Sequence, residues 1–317
     1  MLVTEESPGH VPVLTREVRE LLSPREGEIV VDATVGLGGH ARMLGEAVGG
    51  TGRLVGLDVD PACLERAAAA LADLPCRVDL RQANFAELPE VLAELKIERV
   101  DVLFADLGVS SFQLDDPARG FSFQRDGPLD MRMDPRLTET AADLINRLKE
   151  KELADLLYEH AQEMSSRRIA RALCAARRDK RITRTQELVE IVAKAVRVDP
   201  ASRKSRIHPA TRTFQALRIA VNRERESLEA LLAAAPGLLA PGGRFGVISF
   251  HSGEDKPVKL DFRKRKSEGR YEILTKRPVT ASEAERAANP RARSAKLRVV
   301  RRLPDGGADS HGARQGR

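Results

Sequence analysis

Four short apolar runs near the start of the chain alternate with turns and helical segments, and this alternation constrains the fold more than any other feature. The runs are 28–32, 54–58, 78–82 and 100–106, and Ala and Leu at helical spacing predict a helix over 62–74. Strands that alternate with helices in this way form a parallel sheet covered by helices on both faces. We therefore predict an α/β, doubly wound fold.

The alternation stops after the fourth run. Residues 113–135 are rich in Asp, Gly, Pro and Arg and are predicted to be a loop. Helical spacing then recurs in four short segments, which are 144–148, 153–158, 169–176 and 188–195. This block predicts an all-helical domain inserted into the α/β domain.

The strand signals return later in the chain. A long helix is predicted over 211–235, followed by strands over 244–250 and 296–301. The predicted organisation has four parts: a first α/β part at 1–114, the helical insertion at 115–205, a second α/β part at 206–302 and a disordered basic tail at 303–317.

Composition excludes several classes of protein. No run is long and apolar enough to span a membrane, and the N-terminus is not of the secretory type. Cys63, Cys76 and Cys174 lack the Cys-x-x-Cys spacing of zinc sites and do not suggest a disulfide framework. We therefore expect a cytoplasmic protein with no membrane association and no metal.

Positive charge is concentrated in two segments. Residues 164–225 hold 17 Lys and Arg against 5 Asp and Glu, a net charge of +12, and residues 263–317 hold 16 against 6, a net charge of +10. Two such blocks in a chain of net charge +6 indicate a polyanionic partner, although solvated helix faces are the alternative. The candidate contacts to this polyanion, which would be RNA contacts if the partner is RNA, are the clustered arginines Arg167, Arg168, Arg171, Arg177 and Arg178.

Aromatic residues are scarce, with nine Phe, two Tyr and no Trp. A broad platform for stacking single-stranded bases is therefore not expected, and contacts should be mainly with phosphates.

A Gly-rich turn follows the first predicted strand and reads Asp32-Ala-Thr-Val-Gly-Leu-Gly-Gly-His40. Glycines let the backbone approach a ligand closely, and in an open α/β sheet the ligand lies beyond the carboxyl ends of the strands. Asp58 ends the second strand, 20 residues after Gly38, where an acid can accept the hydroxyl hydrogens of an adenosine ribose. Gly36-x-Gly38-x-x-Ala41 also fits the loose dinucleotide fingerprint, so an NAD-dependent oxidoreductase is an alternative.

Two further strand ends face the same predicted crevice. Phe85 follows the third strand and can pack on adenine, and Asp106 closes the fourth. An acceptor near Asp106 could position an exocyclic amine of cytosine or adenine and stabilise the charge that develops on attack. The usual Asp/Asn-Pro-Pro-aromatic motif of amino-methylating enzymes is not present, so motifs alone leave the substrate open. An N4 or N6 amino-methyltransferase acting on another nucleic acid is one alternative.

Six long blocks together resemble one family, the bacterial 16S ribosomal RNA cytosine-N4 methyltransferases of the small-subunit methyltransferase H (MraW) type. The resemblance runs from His10 to about Arg302, and its blocks are 32–40, 106–123, 128–133, 208–218, 250–255 and 289–298.

The resemblance implies a class I, Rossmann-like, S-adenosylmethionine-dependent methyltransferase fold with an inserted helical domain. It implies methylation of the N4 amine of a cytidine in the decoding centre of 16S ribosomal RNA, within the small ribosomal subunit. The cofactor contacts that it implies are Gly38, Gly39, His40, Asp58, Phe85, Asp106 and Gln113. Because Asp106 is then a cofactor contact, its role as a catalytic amine acceptor becomes the weaker option. Ser110 and Ser111 are then the better catalytic candidates on the substrate side.

The chain departs from the family pattern at one block. Phe-His-Ser-Leu-Glu-Asp-Arg is expected, whereas the chain has Phe250-His-Ser-Gly-Glu-Asp-Lys256 followed by Pro257. Gly253 and Pro257 bear on how the helix after the fifth strand begins. His251 is interpreted first as a structural histidine.

Overall fold

The computed structural model of the chain describes residues 12–196 and 208–304. The chain divides into two compact units. The first comprises the residues up to Gly108 together with those from Glu226 onward, and the second is Val109–Arg225. Most of the tail predicted over 303–317 lies outside the described residues.

The first unit is built on a seven-stranded sheet with the strand order β3-β2-β1-β4-β5-β7-β6. Strands β1 to β5 run parallel to one another, whereas β7 is antiparallel to both β5 and β6. The strands are β1 (Ile29–Asp32), β2 (Arg53–Asp58), β3 (Arg77–Gln82), β4 (Val100–Asp106), β5 (Leu239–Ser249), β6 (Tyr271–Ile273) and β7 (Lys296–Arg302).

Helices cover both faces of this sheet. Adjacent strand residues alternate between the faces, so that Val30 packs on one side and Val31 on the other. The face that buries Val30 is covered by α1 (Thr15–Leu22), α2 (Gly39–Val48) and α3 (Pro61–Leu71). The other face is covered by α4 (Leu88–Glu94), α11 (Glu224–Leu238) and α12 (Ser252–Ser267), and α13 (Glu283–Ala288) precedes β7.

The predicted α/β, Rossmann-like fold is confirmed. The predicted strands agree with β1 to β4 to within one residue at each end. The three-residue strand β6 has no counterpart in the prediction, because so short a run carries no periodic signal.

The second unit is helical. Its helices are α5 (Ser111–Asp115), α6 (Ala141–Arg147), α7 (Glu150–Ala161), α8 (Ser166–Asp179), α9 (Thr185–Val196) and α10 (Thr211–Asn222). The unit is wider than the predicted insertion of 115–205, because α10 packs on α7. Phe214 and Leu217 of α10 share one buried cluster with Leu153 and Leu157 of α7.

The single helix predicted over 211–235 is wrong in one respect, since the chain forms α10 and α11 there instead. Arg223 adopts the left-handed conformation (φ 48°, ψ 41°) and caps α10. Helices that end in this conformation usually have Gly at that position, and Arg223 takes its place here. The sequence therefore carries no Gly or Pro signal for the break.

Candidate cofactor site and nucleic-acid interface

The turn after β1 leads directly into α2. Gly38 is the residue before the helix and has a φ of 89°, which favours glycine. Gly38 has no side chain with which to cap the first turn of α2. The predicted contacts Gly38, Gly39 and His40 therefore all lie at the first turn of α2.

Asp58, at the end of β2, stabilises the turn between β1 and α2. Its Oδ2 accepts a hydrogen bond from the backbone N–H of Gly36 at 3.0 Å, and its Oδ1 accepts one from Asp60 at 2.9 Å. Burial raises the pKa of Asp58 to about 6, against these backbone hydrogen bonds, which lower it. Each carboxylate oxygen has a second lone pair, so Asp58 can hold the turn and still accept from a ribose hydroxyl.

Asp106 and His40 are brought together, although they are far apart in the sequence. Asp106 Oδ2 lies 3.6 Å from His40 Nε2, and the His40 ring packs on Phe104 with a centroid distance of 4.8 Å. The backbone N–H of Asp106 donates to Thr34 Oγ1 at 2.7 Å, which ties the end of β4 to the turn after β1. The carboxylate oxygen Oδ1 of Asp106 is buried, and no described residue forms a hydrogen bond with it.

Two acidic residues that the sequence analysis did not select belong to the same region. Asp32, at the end of β1, is 1% exposed and accepts from the Thr34 N–H at 3.1 Å. Burial raises its pKa to about 7, and the charge of nearby Asp58 adds to the effect. Burial also raises the pKa of Asp106 well above its usual range, as do the charges of Asp32 and Glu254.

Glu254 is the second of these residues. It lies in the first turn of α12, is buried, and accepts the Phe250 N–H at 2.7 Å. Its Oε1 lies 3.0 Å from His251 Nε2, so His251, the residue that caps α12, has an acidic partner. Glu254 stood in one of the family-like blocks, but only the sheet order places it beside Asp106. Pro257 lies within α12, whose first turn is formed despite the departure from the family pattern.

Phe85 begins a short 3-10 turn directly after β3. Asn84 caps this turn by accepting the Ala86 N–H at 2.9 Å, and Glu87 accepts the Asn84 N–H at 2.6 Å. The Phe85 side chain is partly buried against the core of the first unit. One part of the ring thus stays accessible, as packing on an adenine would require.

Ser110, Ser111 and Gln113 belong to the second unit. Ser110 caps α5: its Oγ accepts the Gln113 N–H at 3.3 Å, and Gln113 Oε1 accepts the Ser110 N–H at 3.1 Å. The Gln113 side chain is buried. Ser111 is the first residue of α5, and its side chain is outside the described part of the structure. These pairings fix the local backbone, and the roles of the three residues stay predictions.

The candidate RNA contacts lie on α8, but they do not share one environment. Arg167, Arg168, Arg171 and Arg178 are exposed. Since each residue of a helix turns by about 100°, Arg167, Arg171 and Arg178 lie on one side of α8. Arg177 points elsewhere: it is partly buried, and its guanidinium donates to the carbonyl oxygen of Ile145.

A model of the MraW methylase family matches residues 7–303 of the chain. The chain belongs to the MraW methylase family. It is therefore a methyltransferase, and the alternative of an NAD-dependent oxidoreductase is set aside. Among the described residues, no helix is long and apolar enough to cross a membrane.

Curated members of this family match over nearly their whole length. Each of the following is named ribosomal RNA small subunit methyltransferase H. The protein from Syntrophobacter fumaroxidans is 49% identical, covering 92% of this chain and 95% of its own. That from Solidesulfovibrio magneticus is 49% identical over 97% and 100%, and that from Geobacter sulfurreducens is 50% identical over 93% and 99%.

A solved structure, an rRNA methylase from Streptococcus thermophilus, aligns at 11% identity over 92% of this chain and 94% of that one, with a TM-score of 0.41. The family assignment rests on the sequence relatives.

The carboxyl ends of the parallel strands in the first unit carry a group of acidic residues that bears on the ligand of a methylase. Four carboxylates converge there, of which Asp32, Asp58 and Asp106 form no ion pair with Lys or Arg within residues 12–196 and 208–304. Burial disfavours the ionised form of these carboxyl groups, as their raised pKa values indicate, and a cationic ligand beside them would favour the ionised form.

Proposed function

We propose that the protein transfers the methyl group of S-adenosylmethionine to the N4 amine of a cytidine in the decoding centre of 16S ribosomal RNA. The observation that carries the proposal is the identity of about one residue in two, over nearly the full length, with relatives named ribosomal RNA small subunit methyltransferase H. The small ribosomal subunit is the proposed partner, and the cytoplasm is the compartment in which it occurs.

The first unit suits S-adenosylmethionine as the methyl donor. We assign Asp58, which has lone pairs left after its backbone hydrogen bonds, to accept from the ribose hydroxyls, and the partly buried Phe85 to pack on the adenine. The buried carboxyl groups of Asp32 and Asp106, whose pKa values burial raises, would be held ionised by the positively charged sulfonium and ammonium groups of this cofactor. When bound, this cofactor supplies an electrophilic methyl group.

The amine of cytosine is a weak nucleophile, since its lone pair is delocalised into the ring. A hydrogen-bond acceptor aimed at its N–H favours the pyramidal nitrogen and stabilises the charge that develops on attack. We assign this role to the segment that follows β4, with Asp106, Ser110 and Ser111 as the candidate groups. The backbone N–H of Asp106 donates to Thr34 Oγ1, and this hydrogen bond holds the end of β4 in place whether Asp106 contacts the cofactor or the amine.

The second unit is proposed to bind the RNA backbone through the exposed arginines of α8. Guanidinium groups bind phosphate oxygens with two parallel hydrogen bonds, and each such contact releases counterions. Arg177 is a weaker candidate than its neighbours, because it is partly buried and its guanidinium donates to the Ile145 carbonyl.

Methyl transfer from isotopically labelled S-adenosylmethionine to purified small subunits tests the proposal. The RNA is digested to nucleosides after the reaction, and the label is expected in N4-methylcytidine. Label in a ring-carbon methyl group or in adenosine would refute the N4-cytidine assignment. Calorimetry with S-adenosylmethionine and with NAD is the companion measurement, and only the former is expected to bind.

A further inference from the structure

The end of α7 and its connection to α8 expose apolar side chains to solvent. Within residues 12–196 and 208–304, three large hydrophobic side chains are exposed: Tyr158 at 53%, Met164 at 79% and Leu260 at 54%. Met164 lies in the connection, and Tyr158 lies in the last turn of α7, which leads into it. Exposed apolar groups at one end of a helix mark a candidate binding surface.

The connection is held rigidly. Gln162 adopts the left-handed conformation (φ 52°, ψ 41°) that ends α7, and its N–H donates to the Tyr158 carbonyl at 2.8 Å. Glu163 is buried, donates its N–H to the Leu157 carbonyl at 3.3 Å and accepts the Ser165 N–H at 2.8 Å. Met164 is therefore exposed within a stretch of backbone whose neighbouring residues are held by hydrogen bonds.

Two guanidinium groups are attached to the same connection. Arg212, at the start of α10, donates from Nη1 to the Gln162 carbonyl at 3.2 Å, and Arg168 donates from Nη2 to Ser165 Oγ at 2.8 Å. Both side chains are exposed. Each guanidinium has five N–H donors, so most of them stay available to a ligand. We call Tyr158, Met164, Arg168 and Arg212 the α7–α8 tip.

We propose that the α7–α8 tip binds an unpaired nucleotide of the RNA substrate, with the base against Tyr158 and Met164 and its phosphates at Arg168 and Arg212. This inference rests on the proposed function. Single-stranded RNA is commonly recognised by a base stacked on an aromatic ring beside basic groups that hold the backbone. Two apolar side chains are too few for a stable protein interface, which buries about 800 Å² on each partner.

The scarcity of aromatic residues fits this assignment. With two Tyr and no Trp in the whole chain, an extended stacking platform is not available. A single stacking position, combined with the arginines of α8 on the same unit, would instead fix the register of a strand whose affinity comes mainly from phosphate contacts.

The test measures binding of small-subunit RNA and of an unpaired fragment to the full chain by fluorescence anisotropy, over a series of salt concentrations. Tyr158→Ala and Met164→Ala are each expected to weaken binding by about fivefold or more, with the salt dependence unchanged. Tyr158→Phe should retain the wild-type affinity because it keeps the ring. Arg168→Gln and Arg212→Gln should each reduce the salt slope by about one.

Leu260→Ala is the matched control, since it removes an equally exposed side chain from the first unit. Wild-type affinity of the Tyr158→Ala and Met164→Ala variants would overturn the proposal, as would a wild-type dimer that Met164→Asp dissociates in sedimentation. Because the readout is RNA binding, it stands apart from catalysis. If the wild type transfers no methyl group to RNA, the proposed function fails, while the tip is still judged by the effect of its variants on binding.

Discussion

Both oxygens of the Asp58 carboxylate accept backbone hydrogen bonds, so this one residue connects the end of β2 to the turn before α2. The remaining lone pairs of the same oxygens are proposed to accept from the ribose hydroxyls. A group that is positioned by the backbone loses little entropy when it accepts a further hydrogen bond.

The first prediction concerns Asp58→Ala. Loss of charge-assisted hydrogen bonds to the ribose should cost about 1.5–3 kcal/mol, which lowers the affinity for S-adenosylmethionine roughly ten- to a hundredfold. Calorimetry measures the affinity, and circular dichroism confirms that the variant is folded. An unchanged affinity in a folded variant would remove Asp58 from the cofactor site.

The second prediction concerns Asp32, whose pKa burial raises to about 7. A carboxyl group with a raised pKa binds more protons in the folded state than in the unfolded state at pH 4 to 7. Its contribution to the free energy of unfolding therefore falls as the pH rises through that window. Asp32→Asn should stabilise the ligand-free protein by about 2 kcal/mol at pH 8 and have little effect near pH 5. Urea unfolding at the two pH values measures both.

Asp79→Asn is the control of opposite sign. Burial raises the pKa of Asp79, but hydrogen bonds from Arg53 and Arg77 outweigh that effect and lower it. Its substitution should destabilise the protein at pH 8. If Asp32→Asn also destabilised the protein at pH 8, the ionised Asp32 carboxylate would have to stabilise the fold, and burial could not be the dominant influence on its pKa.

Among the elements, α8 separates two kinds of arginine that look alike in the sequence. Arg167, Arg171 and Arg178 lie on one exposed side, whereas Arg177 binds the Ile145 carbonyl. The periodicity of the segment predicted the helix, but only the packing of the unit shows that Arg177 is partly buried.

The third prediction follows from this difference. Reversing the charge of Arg167, Arg171 and Arg178 together should weaken RNA binding and reduce the salt slope by about 2 to 3, while cofactor affinity stays unchanged. Arg177→Ala should instead lower the thermal stability, because it leaves the Ile145 carbonyl without this donor. If the triple variant binds RNA with unchanged affinity, the exposed arginines of α8 are a solvated surface and do not contact RNA.

How far the sequence predicts these elements depends on the range of the interactions that form them. The strands β1 to β4 are short apolar runs next to turn signals, which are local patterns, and they were predicted closely. The break at Arg223 and the short strand β6 depend on tertiary packing and carry no local signal. Asp58 was predicted from its place after a strand. Asp32 and Glu254 were not selected, because their proximity to Asp106 follows from the strand order.

At the scale of the whole molecule, charge and chemistry are divided between the two units. The carboxylates proposed to face the cofactor lie in the first unit, and the exposed arginines of α8 lie in the second. A large folded RNA presents many phosphates in fixed positions, whereas a short strand presents few. The separation of the basic residues from the carboxylates therefore fits a large folded RNA better.

The fourth prediction is therefore that intact small subunits are methylated faster than a short RNA fragment that contains the target. A base in folded RNA must leave its stack at a cost of a few kcal/mol, and contacts spread over a preformed subunit can offset that cost. Initial rates on subunits, naked ribosomal RNA and the fragment provide the comparison. Equal rates on all three would refute the requirement for the subunit and leave the chemistry of the proposal intact.

The central claim is the identity of the methylated nucleotide, and mapping it in a cell tests that claim most directly. Small-subunit RNA from a strain that lacks the gene is compared by mass spectrometry with RNA from the same strain complemented by the wild type or by Asp58→Ala. We predict that one decoding-centre cytidine carries an N4 methyl group only when the wild type is present, and that the variant restores little of it. An unchanged methylation pattern of that RNA, or a methyl group lost from any other position or base, would contradict the claim.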